Sequence, residues 1–226
     1  MLSRESEENR PVSRVQEQGA RSRERILDAA ETLMADRGYA GTSISAICKE
    51  SGLPASSVYW HFENKAGLLH AVIERGTGRM LAEIEASYDV PGTPRERLHR
   101  LLSGAAAAFE AQPREFRRLE LLLTLERGSA DSAWRETIDH FHTKLRGLIE
   151  EALFEIYRPI DEKRARTVAR EGARLAELMG SGAIYQGVRA PEEFKPSAMI
   201  EYCELALMAV AERRLGSPQA KGSGAP

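Results

Sequence analysis

Apolar residues recur at helical spacing along almost the whole chain. The first regular stretch begins at Ser22 and ends near Gly38, which is placed to stop a helix, and its apolar face consists of Ile26, Leu27, Ala30, Leu33 and Met34. Further stretches with this period cover residues 65–88, 94–111, 113–127, 130–157, 161–186 and 196–215. Because no alternating strand pattern competes with them, the sequence predicts an all-α fold of about nine helices.

Two short helices joined by a tight turn are predicted between residues 42 and 62. In "GTSISAICKESG", Thr42 or Ser43 offers an N-cap and Gly52 offers a stop. Leu53 and Pro54 restart the chain at once and "ASSVYWHF" follows, since proline is favoured in the first turn of a helix. This spacing is typical of a helix-turn-helix.

The same patterns divide the chain into four segments. Residues 1–20 are polar and without period, and the last residues, "GSPQAKGSGAP", have the composition of a linker. We therefore predict a disordered arm over 1–20, a helix-turn-helix domain over 21–68, a helical bundle over 69–215 and a disordered tail over 216–226.

The stretch "SSVYWHFENK" sets Tyr59, Trp60, His61 and Phe62 side by side. A helical projection places on its buried side Pro54, Ala55, Val58 and Phe62, and on the opposite side Ser56 and Trp60. Tyr59 and Ser57 flank the outer side, and His61 falls nearer the buried one. An exposed tryptophan among small hydroxyl residues suits close approach to a partner surface. Packing of the aromatic pair on neighbouring helices is the alternative.

Composition and charge narrow the function classes. An apolar content of 42% supports a core, and the formal net charge of −2 argues against a protein that coats nucleic acid. Residues 1–75 hold ten Lys and Arg against eleven Asp and Glu, so any DNA binding must come from a local patch. The two cysteines, Cys48 and Cys203, have no metal-ligand spacing, and no apolar run is long enough for a signal peptide or a membrane span. We expect a cytoplasmic protein without a metal or cofactor.

The residues from Arg23 to Ile73 resemble the DNA-binding domain of the tetracycline-repressor (TetR) family. The stretch "ILDAAETLMADRGYAGTSISAICKESGLPASSVYWHFENKAGLL" follows the family pattern almost without a gap. The resemblance implies a three-helix DNA-binding domain, a connecting helix, and an all-helical domain for ligand binding and dimerisation. It also implies repression relieved by a small molecule.

By this similarity, the predicted DNA-binding residues are Thr42, Ser45, Ala55, Ser56, Ser57, Tyr59, Trp60, His61 and Lys65. Thr42 and Lys65 resemble phosphate contacts, and the others lie on or before the recognition helix. Some family members carry long polar side chains where this helix has alanine or serine. Sequence preference is therefore expected to depend on hydroxyl groups, thymine methyls and DNA shape.

The C-terminal two-thirds carries stripes of small and apolar residues. Small residues let helices approach closely, and the last helix is apolar nearly all round, so it needs cover on all sides. A second subunit is the natural source of that cover. The predicted homodimer interface comprises Ala169, Ala176, Gly180, Ile184, Met199, Cys203, Ala206 and Val210.

A ligand pocket is predicted among inward residues of the middle helices. Its candidates are Phe109, Phe116, Leu119, Leu123, Trp134, His140, Phe141, Met179 and Tyr185, with His142 as a second candidate polar anchor. Ordinary core packing remains the alternative for each of them. His140 and His142 lie two residues apart, so a regular helix points them in opposite directions and they cannot share one metal ion.

The sequence thus predicts a DNA-binding transcriptional regulator with a small, largely apolar effector. By resemblance to the family, we expect a repressor that binds a palindromic operator as a dimer. No phosphate-cradling glycine loop, nucleophile elbow or His-Glu-x-x-His motif supports an enzyme. A helical interaction module that has lost specific DNA binding is the alternative, motivated by the acidic balance and the short side chains of the recognition helix.

Overall fold

The computed structural model describes residues 14–125 and 133–215, and these residues are almost entirely helical. The elements in the described part of the chain are α1 (Arg14–Gly41), α2 (Ile44–Ser51), α3 (Ala55–His61), α4 (Lys65–Tyr88), α5 (Pro94–Ala111), α6 (Arg114–Leu125), α7 (Ala133–Tyr157), α8 (Glu162–Arg189), a short 3-10 helix (Pro196–Met199) and α9 (Ile200–Leu215). The predicted all-α class is confirmed.

The chain divides into two compact units, Met1–Val72 and Ile73–Pro226. The division falls inside α4, four residues after the predicted boundary at residue 68. No described helix is long and apolar enough to cross a membrane. The predicted tail over 216–226 lies outside the described residues, as do residues 1–13 of the predicted arm.

The first helix differs from its prediction at both ends. It begins at Arg14, so the prediction of a disordered arm is wrong for residues 14–20. Gly38 interrupts the helix with a positive φ of 74°, as its position suggested, but the chain turns helically again up to Gly41. Positive φ favours glycine because that residue has no Cβ to clash.

The helix-turn-helix follows its sequence signals closely. The Ser43 hydroxyl accepts a hydrogen bond from the Ala46 amide and caps α2, and Gly52 ends that helix with a φ of 66°. The core of this unit includes Ile26, Ile47, Val58, Phe62 and Leu68. Apolar burial of this kind supplies most of the stability of such short helices.

The helical projection is wrong for two residues of the recognition helix. Pro54 and Ala55 were predicted on the buried side, but both are exposed. Pro54 has an extended backbone (φ −70°, ψ 158°) and precedes the helix, so the angular period does not apply to it. Ala55 begins the first turn, where no other element covers it.

The C-terminal unit is a bundle in which α7, α8 and α9 pack with α5 and α6. Thr93 caps α5 through a reciprocal capping box with Glu96, and these hydrogen bonds to Thr93 hold the pKa of Glu96 below its usual range. Glycines permit two close helix contacts. A Cβ at Gly172 would lie 2.7 Å from Leu153, and one at Gly76 would lie 2.1 Å from the Phe116 ring.

The two glycines of α4, Gly76 and Gly78, form a matched pair for substitution. We expect Gly76→Ala to destabilise the protein by ~1–3 kcal/mol, because the new methyl group overlaps the fully buried Phe116 ring. Gly78→Ala should stabilise it by ~0.5–1 kcal/mol, since nothing lies within 4 Å of a Cβ there and alanine is the better helix former. Urea unfolding of both variants measures the two effects. Equal stabilities would contradict the packing of Phe116 on Gly76.

Candidate nucleic-acid interface and ligand cavity

The outward face of α3 holds two large exposed aromatic side chains. Trp60 is 76% exposed and Tyr59 is 56% exposed. Ala55 and Ser56 are exposed beside them, Ser57 is half-buried, and Ser45 is exposed on α2. These six residues therefore lie where the sequence predicted an interaction surface, and the two aromatics are not part of the core.

The first turns of α1 lie against this face. A Cβ at Gly19 would be 3.8 Å from two ring atoms of Trp60, so the missing side chain leaves space beside the indole. The imidazole of His61 meets the Trp60 ring edge to face at a centroid distance of 4.5 Å. Sequence reasoning missed the contribution of Gly19, because the polar start of α1 carries no apolar period.

His61 is held by Ser22 of α1. The Ser22 hydroxyl lies 2.6 Å from Nε2 of His61 and donates its proton to the Gly19 carbonyl at 2.8 Å. Nε2 therefore donates to the Ser22 oxygen, which leaves Nδ1 as an acceptor. Burial, and secondly the charge of Arg23, lower the pKa of His61, so the imidazole is neutral at pH 7. His61 was predicted among the DNA-binding residues, and the structure shows that its Nε2 instead contacts Ser22 and so helps to position α3 on α1.

Thr42 lies beneath the surface. It is 2% exposed, and its hydroxyl points at the carbonyls of Leu33 (3.1 Å) and Gly38 (2.9 Å). A buried hydroxyl engaged in this way is not available to a phosphate, so the predicted contact is wrong for the Thr42 side chain. The residue instead fixes the end of α1, where Gly38 breaks the regular helix.

Lys65 joins the start of α4 to the end of α1. Its ammonium donates to the carbonyls of Tyr39 (2.8 Å) and Thr42 (2.9 Å) and lies 4.3 Å from the centre of the Tyr39 ring. An ammonium group has three donors, so one remains for a phosphate. The predicted phosphate contact by Lys65 therefore stays a prediction, and the structure adds a second role.

A cavity of about 450 Å³ lies inside the C-terminal unit, among residues of α4, α5, α7, α8, the 3-10 helix and α9. Four of the predicted pocket residues line it: Phe109, Phe141, Met179 and Tyr185. The lining is apolar for the most part. His142 also lies in the wall, and burial lowers its pKa.

Five predicted pocket residues lie elsewhere. Phe116, Leu119, Leu123 and Trp134 are buried and do not line this cavity, so their assignment to a ligand pocket stays a prediction. Phe116 packs on Gly76, which fills the space that a pocket would need. His140 is exposed, because it lies two residues from His142 on the same helix and points away from it.

The charged part of the cavity wall is an ion pair. Nη1 of Arg146 on α7 lies 2.9 Å from Oε2 of Glu177 on α8, and about a third of each side chain is exposed. In the described part of the chain, no three His, Cys, Asp or Glu residues are placed to hold a metal ion.

Residues 26–72 match the sequence profile of a family described as "Bacterial regulatory proteins, tetR family". These residues form a DNA-binding domain of the TetR family. The matched range contains α2, α3 and the exposed Tyr59 and Trp60. It does not include the cavity of the C-terminal unit, because the residues that line the cavity begin at Met80.

Curated relatives match this chain over only part of its length. It is 36% identical over 63 residues to the HTH-type transcriptional regulator TtgR of Pseudomonas putida, which is 28% of this chain and 30% of TtgR. It is 30% identical over 91 residues to the HTH-type transcriptional regulator AcrR of Shigella flexneri, or 39% of this chain and 42% of AcrR. The matches thus span less than half the length of either relative.

Similarity of the fold extends much further than similarity of the sequence. The fatty acid degradation regulator FadR of Bacillus halodurans superposes with a TM-score of 0.65 over 82% of this chain and 94% of its own. The two sequences are 19% identical. The chain therefore shares the fold of this regulator well beyond the region of sequence similarity, and any ligand must be argued from its own residues.

The predicted interface residues of the C-terminal bundle separate into three groups. Ala169 is 1% exposed within the protomer, so its prediction as an interface residue is wrong. Lining the cavity are Ala176, Gly180, Ile184, Met199 and Cys203. Val210 is exposed and Ala206 half-buried on α9. The sequence missed three large exposed apolar side chains on these helices: Leu178, Tyr202 and Leu205.

Glu120 on α6 is the most strongly perturbed acid of the bundle. It is buried, and that burial raises its pKa to about 7. The sign of the effect follows from comparing the two states. In the unfolded chain the carboxyl ionises near its ordinary value of 4.5, whereas the folded chain keeps the proton up to about pH 7. Stability should therefore fall as pH rises from about 4.5 to 7 and then level off.

We expect Glu120→Gln to remove this loss of stability at higher pH. The variant should be more stable than the natural chain by up to ~3 kcal/mol at pH 8 and about equally stable at pH 4.5. Urea unfolding across that range measures the difference. Glu115→Gln, at an exposed position on the same helix, is the matched control and should keep the natural profile. A Glu120→Gln profile parallel to the natural one would contradict the raised pKa.

Proposed function

We propose that this protein is a sequence-specific transcriptional regulator, a homodimeric repressor that a small effector releases from a palindromic operator. The observation that carries the proposal is the exposed pair Tyr59 and Trp60, on the second helix of a helix-turn-helix that matches the TetR family. Apolar side chains of this size are seldom left in solvent without a partner. The membership of TtgR and AcrR among transcriptional regulators supports the same function.

The chemistry of the α3 face suits the major groove of DNA. Hydroxyls of Ser45, Ser56 and Ser57 can bond base edges or phosphates, and the aromatic edges of Tyr59 and Trp60 suit thymine methyls and sugars. Lys65 offers its remaining donor to a phosphate. No guanidinium lies on α3, so we infer that part of the specificity comes from DNA shape.

In a dimer, two copies of this surface can read a longer stretch of DNA than one copy can. Two recognition helices must enter successive major grooves about 34–36 Å apart, so a twofold protein reads a near-palindromic site. An effector that favours a mismatched conformation by ~2.7 kcal/mol changes the binding equilibrium about a hundredfold. The apolar cavity of the C-terminal unit is the proposed effector site.

The second candidate is a helical interaction module without specific DNA binding. It is favoured by the ten basic against eleven acidic residues in 1–75. It is favoured also by the internal use of basic groups, since Arg25 donates to the Ser51 carbonyl at 2.6 Å and Lys65 donates to two carbonyls. These contacts reduce the charge that is available to phosphates.

Selection from a random duplex library separates the two functions. We expect the purified protein to enrich a palindrome whose half-sites lie about one helical turn apart. Tyr59→Ala with Trp60→Ala should abolish the enrichment and leave helicity and dimerisation unchanged, because both side chains are exposed. Val90→Ala, which removes an exposed apolar side chain from the C-terminal unit, is the control. A folded natural dimer that enriches nothing at low salt would establish the interaction module instead.

The homodimer is proposed to form through exposed apolar residues of α9. Tyr202 is 64% exposed and Leu205 59%, and these two side chains lie three residues apart on one face of the helix, where a second subunit can cover them. We expect Tyr202→Glu with Leu205→Glu to yield a folded monomer in analytical ultracentrifugation, because two carboxylates would be buried without partners. Val90→Glu should remain dimeric. A double variant that stays dimeric would place the interface on another surface.

A further inference from the structure

The apolar cavity and a surface groove meet at one ion pair. Arg146 and Glu177 belong to the wall of the 450 Å³ cavity and also to the wall of a groove of about 540 Å³. The remaining residues of the groove are Glu150, Arg170, Arg174 and Leu178. A molecule that fills the cavity and extends past Arg146 and Glu177 therefore passes from apolar surroundings into charged ones.

Positive charge predominates in the groove. It holds three arginines and two glutamates. Arg146 pairs with Glu177 at 2.9 Å, and Arg170 lies 3.7 Å from Glu150, a longer and weaker contact. In the described part of the chain, Arg174 has neither a hydrogen bond nor an ion pair. The groove thus offers one free guanidinium and a second that is weakly engaged.

We infer that the effector is an amphipathic anion, with an apolar chain or ring system in the cavity and a carboxylate or phosphate head at Arg146, Arg170 and Arg174. This inference rests on the proposed function of the cavity as the effector site. It specifies the chemical class that the site recognises.

Charge complementarity favours an anionic head over the alternatives. An anion at the mouth of the cavity meets guanidinium groups, which bind carboxylate and phosphate through paired hydrogen bonds. A cationic head would have only Glu177 and Glu150, and both already have arginine partners. A neutral head would leave the ion pair intact and gain no charge-assisted hydrogen bond.

His142 does not alter this balance. It lines the cavity near the ion pair, and burial, the largest effect, lowers its pKa although the Glu177 charge opposes that shift. The imidazole is therefore neutral at pH 7 and contributes a hydrogen-bonding group to the wall. The fixed positive charge comes from the arginines.

The head group can be tested with ligands that share one chain. Decanol, decanoate, decyl phosphate and decyltrimethylammonium carry the same ten-carbon tail and differ in charge. Each is titrated into the full-length protein by isothermal calorimetry, below its critical micelle concentration. We expect decanoate or decyl phosphate to bind at least about tenfold more tightly than decanol, which corresponds to one charge-assisted hydrogen bond. Comparison of the two anions distinguishes a carboxylate from a phosphate head.

Substitutions of groove residues test where the head group of the anion binds. Arg174→Gln, and separately Arg146→Gln with Glu177→Gln, should bring the affinity for the anion to within about twofold of that for decanol. The paired substitution avoids an unpartnered glutamate. Arg166→Gln on α8 is the matched control, because Arg166 pairs with Glu162 and lies outside the groove. It should retain the preference for the anion.

Three results would overturn the inference: equal binding of decanol and the anions, tighter binding of decyltrimethylammonium, or an anion preference that persists in both groove variants. Binding of none of the four would also overturn it. Each result leaves the DNA-binding proposal intact, because duplex selection with the ligand-free protein tests that function independently. Failure of duplex selection together with anion binding would instead identify a ligand-binding protein without an operator.

Discussion

The N-terminal unit depends on how the broken end of α1 is satisfied. A helix end leaves carbonyl groups without intrahelical partners, and here Gly38 interrupts the ladder before the chain reaches α2. The Thr42 hydroxyl lies within hydrogen-bonding distance of the carbonyl oxygens of Leu33 and Gly38. The Lys65 ammonium donates hydrogen bonds to the carbonyls of Tyr39 and Thr42. Lys65 is the first residue of α4, so one side chain ties the end of α1 to the start of α4. The positions of α2 and α3 between them are fixed as a consequence.

The contacts that hold α3 in place also explain why its exposed face carries so little charge. Ser22 and His61 attach its end to α1, Val58 and Phe62 face the core, and only small residues and two aromatics remain outside. A surface of this kind gains little from bulk electrostatics and much from shape. A formal net charge of −2 is compatible with a surface of this kind.

The sequence predicted those features that depend on local spacing. The limits of α4 and α5, the caps at Ser43 and Gly52, and the exposure of Trp60 follow from period and capping residues alone. It could not predict the helix over residues 14–20, because that segment has no apolar period and lies against Trp60 through Gly19, a residue without a side chain. Thr42 was misassigned for a related reason, since burial of a threonine hydroxyl depends on where Gly38 bends the chain.

The cavity shows a limit of a different kind. Periodicity identifies which face of a helix points inward. A cavity forms where the inward side chains of neighbouring helices leave space between them. Phe116 and Phe109 have equally inward positions in the pattern. Phe116 packs against Gly76 and Phe109 lies against Gly187, yet Phe109 also lines the cavity. The difference depends on contacts between helices, which the spacing along one helix does not contain. An ion pair such as Arg146 with Glu177 is likewise invisible to a pattern of spacing, because its partners are 31 residues apart. The proposed effector site therefore depends on pairs of residues from different helices, while most of the proposed DNA-binding surface lies on α3.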